Sequence, residues 1–155
     1  MLRLSVFLSG LIALFAFAAV AFAHGDDDAA AATNGGQPGN PAEVSRTIRI
    51  EARDLAFNIK TIRVKPGETI RFVVTNNGAV PHEFMLANHK EHVEHRAMMA
   101  QMPDMVHHDP EVISLQPGET KELIWRFGDD PDFEFACDIP GHSEAGMWGT
   151  FTYMK

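Results

Sequence analysis

The chain has 155 residues, 45% of them hydrophobic, and a formal net charge of −8 at pH 7. This length is sufficient for one domain with a buried core, and the acidic charge argues against binding to nucleic acids or anionic membranes. The single cysteine excludes a disulfide within the chain.

The N-terminus has the pattern of a secretory signal. Arg3 precedes an apolar run over residues 4–22, and Ala21–Phe22–Ala23 fits a small-x-small cleavage site. We therefore expect residues 1–23 to be a signal peptide that directs export to the periplasm, with no membrane association after cleavage. An uncleaved membrane anchor is the alternative, because the run is nearly long enough to span a bilayer. The acidic run over residues 26–28 favours cleavage.

Residues 24–44 have the composition of a flexible acidic linker. They are rich in Asp, Ala and Gly, contain Pro38 and Pro41, and show no apolar periodicity. His24 would become the mature N-terminus, where its amine and imidazole together form a chelating pair for copper(II). A solvated terminal histidine is the simpler interpretation.

Residues 45–155 predict one all-β domain. Alternating apolar residues and turn signals indicate about eight short strands. The predicted strands cover residues 47–52, 62–64, 69–75, 83–87, 112–115, 120–127, 133–137 and 148–154. Because no βαβ rhythm appears, this pattern favours a β-sandwich. Residues 88–110 are the exception and predict an insertion made of a helix and a loop.

Three soft metal ligands lie within eleven residues near the C-terminus: Cys137, His142 and Met147. One thiolate, two imidazoles and a weak thioether form the blue-copper ligand set. His82, which follows Pro81 after an Asn-Asn-Gly turn, is the predicted fourth ligand. Taken singly, an inert buried cysteine, a packed methionine or a satisfied histidine is the more ordinary interpretation. Together the four residues favour a mononuclear copper site over zinc, because a thioether is a poor zinc ligand.

These residues carry a family resemblance. Residues 76–82 and the spacing Cys137-x4-His142-x4-Met147 resemble the type 1 copper proteins, the cupredoxins, over about residues 45–155. The resemblance implies a Greek-key β-sandwich and one type 1 copper that cycles between Cu(I) and Cu(II). It also implies that His82 and His142 bind through imidazole nitrogens, Cys137 through its thiolate, and Met147 as the weak axial ligand.

One residue departs from the family pattern. Glu83 stands where many members have an asparagine that supports the cysteine sulfur. Its carboxylate either lies near the copper, where it favours Cu(II) and lowers the reduction potential, or points to solvent. Asn77 and backbone amides are the candidates to replace the missing support.

The insertion over residues 88–110 holds five of the eight histidines and four of the eight methionines. A helix over residues 90–101, ended by Pro103, would place His92, His95, Met99 and Met102 on one face. Thioethers suit Cu(I) and imidazoles suit either oxidation state, so the cluster predicts an auxiliary copper site or a copper hand-over patch. The alternative is that the methionines pack the helix on the sandwich while the histidines are solvated. The candidate ligands are His24, His89, His92, His95, Met98, Met99, Met102, Met105, His107 and His108.

The signal sequence, the ligand set and the insertion together resemble the periplasmic cupredoxins of bacterial copper tolerance. We therefore expect a monomeric copper-tolerance protein that binds copper ions and meets a periplasmic redox or copper-trafficking partner. A mobile electron carrier for a respiratory or reductase chain is the alternative, with apolar residues near His142 as its docking patch. An enzyme is not expected, because multicopper enzymes need further copper centres, although oxidation of cuprous ions is left open. A binuclear copper centre would need a second cysteine.

Overall fold

The computed structural model describes residues 34–102, 105 and 107–154. The predicted signal peptide, His24 and Pro103 therefore lie outside the described residues. In the part of the chain that is described, no helix combines the length and the apolar character needed to cross a membrane.

The described residues form ten strands, one α-helix and one short 3₁₀ helix at Pro41–Glu43. The first half contains β1 (Gly36–Pro38), β2 (Arg46–Arg53), β3 (Ala56–Phe57), β4 (Thr61–Val64), β5 (Thr69–Asn76) and β6 (His82–Asn88). The helix α1 (His89–Gln101) follows directly. The second half contains β7 (Val112–Leu115), β8 (Thr120–Phe127), β9 (Phe133–Ala136) and β10 (Trp148–Tyr153).

Two five-stranded sheets make up the fold. Their strand orders are β1-β8-β5-β2-β3 and β4-β10-β9-β6-β7. The chain passes from one sheet to the other five times, after β3, β4, β5, β7 and β8, so neighbours in a sheet are often distant in sequence. This arrangement confirms the predicted all-β Greek-key sandwich with a helical insertion between β6 and β7.

Aromatic side chains fill the space between the sheets. Phe72, Phe84 and Phe135 are fully buried, and the ring centroid of Phe84 lies 5.4 Å from that of Phe72 and 5.5 Å from that of Phe135. Cys137 and Met147 belong to the same buried cluster. The predicted metal ligands are therefore anchored to the densely packed core, where side chains have little freedom to move.

The interpretation of residues 24–44 as a linker is wrong for the described residues at its C-terminal end. Residues 36–38 pair with β8 as an edge strand, and the indole nitrogen of Trp125 donates a 3.0 Å hydrogen bond to the Gly35 carbonyl. Gly36 has φ of +124°, and a Cβ there would lie only 2.1 Å from the Arg126 carbonyl oxygen. The strand is thus held by backbone pairing that only glycine permits, and it carries no apolar alternation that the sequence would reveal.

The helix α1 agrees with its prediction to within one residue at its start. Asn88 accepts a hydrogen bond from the Glu91 backbone nitrogen, and the Glu91 carboxylate accepts one from the Asn88 backbone nitrogen, each at 3.0 Å. This capping box begins the helix directly after β6. The insertion is therefore attached to the strand that also carries His82.

Asn76 fixes the turn that precedes His82. Its buried side-chain amide donates to the Val80 carbonyl at 2.8 Å and to the Leu115 carbonyl at 3.1 Å. Its side-chain oxygen accepts from the Gly78 backbone nitrogen at 2.9 Å. One side chain thus satisfies three backbone groups of this turn and of β7.

We predict that Asn76→Ala lowers the free energy of unfolding of the metal-free protein by about 2–3 kcal/mol, because buried backbone groups lose their partners. Asn77→Ala is the matched control, since Asn77 is exposed, and should stay within roughly 0.5 kcal/mol of the wild type. Urea denaturation of the three proteins measures the difference. Equal losses for both variants would contradict this role of Asn76.

Candidate metal centre

Three predicted ligands converge at one end of the sandwich. His82 begins β6, Cys137 follows β9, and His142 lies in the loop between β9 and β10. The His142 Nδ1 lies 3.3 Å from both the His82 Nδ1 and the Cys137 Sγ, and the Cys137 Sγ lies 4.0 Å from the His82 Nδ1. Antiparallel pairing of β6 with β9 brings the first two together although 55 residues separate them.

The loop of residues 137–147 closes on itself through backbone hydrogen bonds. The Met147 nitrogen donates to the His142 carbonyl, and the Cys137 nitrogen donates to the Met147 carbonyl, each at 3.0 Å. Gly141 and Gly146 take positive φ values that L side chains rarely adopt, which lets the loop turn tightly. Met147 is fully buried in the cluster that contains Cys137. The loop thus holds three of the predicted ligands within eleven residues.

Burial sets the electrostatics of the centre. It raises the pKa of the Cys137 thiol to about 12, although the hydrogen bond from the Glu83 amide acts in the opposite direction. Burial also lowers the pKa of both His82 and His142, and the neighbouring His142 lowers that of His82 further. The imidazoles are therefore neutral near pH 7, which is the state that binds a metal ion.

The donor set fits copper. Metal bonds of about 2.0–2.3 Å place neighbouring donor atoms roughly 3.3–3.8 Å apart, close to the distances among the two imidazole nitrogens and the sulfur. Two imidazoles and one thiolate beside a buried thioether are the ligands of a type 1 copper site. His82, Cys137 and His142 would hold the ion, with Met147 at the weak position.

Asp54 is a positioning residue that the sequence analysis missed. Its carboxylate accepts a 2.9 Å hydrogen bond from the Ala79 backbone nitrogen, and its Oδ1 lies 3.4 Å from the His82 Nε2. The bond from Ala79 lowers the pKa of Asp54 below its ordinary value. A carboxylate on Nε2 orients the ring so that Nδ1 faces the sulfur. Asp54 lies 28 residues before His82 in a turn, so no local motif marks it.

The structure distinguishes between the alternatives that the sequence left open for Glu83 and Asn77. The Glu83 side chain is buried, so the idea that it points to solvent is wrong, and its backbone nitrogen donates a 3.3 Å hydrogen bond to the Cys137 Sγ. A backbone amide therefore replaces the missing asparagine. Asn77 is exposed, and among the described hydrogen bonds none joins its side chain to Cys137.

The predicted face of α1 is largely correct. His92, His95 and Met99 are buried on it, whereas Met102, the C-cap residue of the helix, is 47% exposed. His92 lies 2.6 Å from the Asp138 carboxylate, which Arg96 also contacts at 3.1 Å. These contacts tie the helix to the residue that follows Cys137.

The remaining residues of the insertion divide into two groups. His107 packs against the helix, with its Nε2 3.1 Å from the Met99 Sδ, while Met98 and Met105 are half-buried. His108 is exposed, and His89 is exposed with its Nδ1 3.1 Å from a Glu134 carboxylate oxygen. The structure thus brings some of the candidate ligands together and leaves others at the surface.

We predict that the Cys137 thiol of the metal-free protein reacts with iodoacetamide at least roughly 100-fold more slowly at pH 8 than in urea, because its pKa of about 12 leaves little thiolate. The rate should still rise with pH at pH 10, where an unfolded thiol has levelled off. Mass spectrometry of the alkylated chain measures both rates. Equal rates in the folded and unfolded chain would contradict the burial of Cys137.

Comparison with known proteins identifies the family of this chain. Residues 43–153 match the model of the copper binding proteins of the plastocyanin/azurin family. The copper-resistant cuproprotein CopI of Rubrivivax gelatinosus is 44% identical over 115 residues, which cover 74% of this chain and 70% of that protein. CopI of Pseudomonas aeruginosa is 35% identical over 146 residues, which cover 76% and 81% of the two chains.

Solved structures share the fold. The auracyanin of Roseiflexus castenholzii superposes with a TM-score of 0.59 at 22% identity, covering 72% of this chain and 99% of that one. An azurin of Methylomonas sp. strain J gives a TM-score of 0.56 at 17% identity, covering 72% and 100%. The family match, the fold and the donor set agree: the chain belongs to the plastocyanin/azurin family of copper-binding proteins, and its cofactor is copper.

Proposed function

We propose that this chain is a periplasmic copper-binding protein of copper resistance, with a redox-active type 1 centre. The observation that carries the proposal is the similarity to relatives named copper-resistant cuproproteins, at 44%, 38% and 35% identity in three bacteria. The signal sequence predicted over residues 1–23 supports export to the periplasm. The proposed partners are copper ions and a periplasmic redox or copper-trafficking protein, and the proposed state is a monomer.

The protein's own residues prepare the site for either oxidation state of copper. Copper supplies a one-electron couple when bound. Burial of Cys137 keeps water and oxidants away from the thiol, and the Glu83 amide stabilises negative charge on the sulfur. Asp54 and the backbone bonds of the 137–147 loop fix the imidazoles, so the ligands need not rearrange. The proposal is for binding and electron exchange, without an enzymatic reaction.

Access to the centre runs through His142. His82, Cys137 and Met147 are buried, whereas His142 is half-buried and borders a cleft that Val80, Pro81 and Ile139 also line. An apolar rim around an accessible ligand suits transient docking of a redox partner. This rim favours the second candidate function, a mobile electron carrier for a respiratory or reductase chain.

We predict that deleting the gene makes the source bacterium sensitive to copper, because the type 1 centre is needed to handle the excess. The gene for the wild-type protein should restore growth on copper plates, and the Cys137→Ser variant should not. Ser143→Ala, a change in the same loop, is the matched control and should restore growth. Normal copper tolerance of the deletion strain together with a respiratory defect would favour the electron carrier instead.

We also predict that Cys137→Ser abolishes the intense visible absorption of the copper(II) protein, because this colour depends on the bond between thiolate and copper. Ser143→Ala should keep the absorption. The measurement is an absorption spectrum of each purified protein after addition of one equivalent of copper(II). A Cys137→Ser protein that stays intensely coloured would overturn the ligand assignment.

A further inference from the structure

We propose a second copper site, separate from the type 1 centre, in which Glu83, His95, His107 and Met99 bind copper(I). The site lies between the start of β6 and the insertion. It contains three of the candidate auxiliary ligands from the sequence and adds Glu83, whose carboxylate the sequence analysis placed either near the type 1 copper or in solvent.

The donor atoms have the spacing of a metal site. One carboxylate oxygen of Glu83 and one imidazole nitrogen from each of His95 and His107 lie within 4.8 Å of one another. The His107 Nε2 is 3.4 Å from the Glu83 Oε1 and 3.1 Å from the Met99 Sδ, and the His95 Nε2 is 3.6 Å from the Glu83 Oε2. Four donors about 2.0–2.3 Å from one ion lie roughly 3.3–3.8 Å apart, so these side chains need little movement to coordinate it.

The side chains of this cluster are buried, and several of their polar atoms have no hydrogen-bond partner among the described residues. The side chains of Glu83, His95 and His107 are only 2%, 8% and 1% exposed. Within the described residues, the Glu83 Oε2, the His95 Nε2 and the His107 Nδ1 have no hydrogen-bond partner. A buried polar atom without a partner costs about 1–3 kcal/mol, and more when it is charged. An ion held between the carboxylate and the imidazoles would satisfy the first two of these atoms.

The ligand types favour copper(I) over other ions. A thioether and two imidazoles are soft and intermediate donors that copper(I) accepts, and the single negative charge of Glu83 balances its single positive charge in a buried place. Two histidines and one glutamate alone also form a known zinc set. The sulfur of Met99 next to the His107 Nε2 distinguishes the two ions and favours copper(I).

The strand β6 joins the two sites. Successive residues of a strand point to opposite faces, so His82 faces the type 1 centre while the Glu83 side chain faces the insertion. The Glu83 amide nevertheless contacts the Cys137 sulfur. A cleft of about 510 Å³ is lined by His82 and His142 from one site and by Glu83 and Met99 from the other. Both sites are thus reached from the same opening.

A metal-free ion pair is the competing explanation for this cluster. The carboxylate of Glu83 raises the pKa of His95 against the opposing effect of burial. A protonated His95 beside Glu83 would neutralise the charge without copper, although it leaves His107 and Met99 unexplained. The two explanations differ in the number of copper ions that the protein binds.

The test is an anaerobic titration of the full chain with copper(I) in competition with a chromophoric copper(I) chelator. The wild type should bind two tight equivalents, and the double variant His95→Ala/His107→Ala should bind one. The double variant His89→Ala/His108→Ala is the matched control from the same insertion, with both side chains exposed, and should bind two. One equivalent in the wild type, or two in the His95/His107 variant, overturns the second site.

Two further measurements keep this result independent of the type 1 centre and of folding. The His95/His107 variant should retain the visible absorption of the copper(II) protein, which reports an intact type 1 site. If that variant does not fold, the single change His107→Gln should weaken binding of the second copper(I) equivalent at least tenfold, and an unchanged affinity overturns the site.

Competition with zinc tests the choice of metal. Excess zinc should leave the second copper(I) equivalent in place, and its displacement by zinc overturns the choice of copper(I).

Discussion

Antiparallel pairing of β6 with β9 determines where the candidate metal centre lies. It places His82 beside Cys137 and aims the Glu83 amide at the cysteine sulfur, 3.3 Å away. The aromatic core under these strands is fully buried, so the pair cannot shift without opening cavities. This packing fixes the positions of the candidate metal ligands. The site is therefore a consequence of the sandwich rather than an addition to it.

The same strand pair also fixes the insertion. The helix α1 starts at the end of β6 through its capping box, and His92 and Arg96 hold Asp138 directly after the cysteine. One side of β6 thus carries the candidate type 1 ligand His82, and the other faces His95, His107 and Met99 of the insertion. This arrangement places the candidate ligands of both sites against a single strand, which suits the proposed role in copper resistance.

The sequence predicted the parts of the site whose chemistry is local. Cys137, His142 and Met147 share one short loop, and the alternating strands around it predict a sandwich that brings His82 to the same end. Asp54 and the direction of the Glu83 side chain could not be predicted, because they depend on contacts between segments far apart in the chain. The strand β1 was missed for a related reason: it is held by backbone pairing at glycine and has no side-chain pattern.

We propose that this fold positions copper ligands on both faces of β6. Anomalous diffraction at the copper absorption edge, from crystals of the copper-loaded full chain, tests it most directly. We expect one peak enclosed by His82, Cys137 and His142, and a second enclosed by Glu83, His95 and His107. A map with no peak between the first three residues would contradict the assignment of the type 1 centre, and a map with only that peak would contradict the second site.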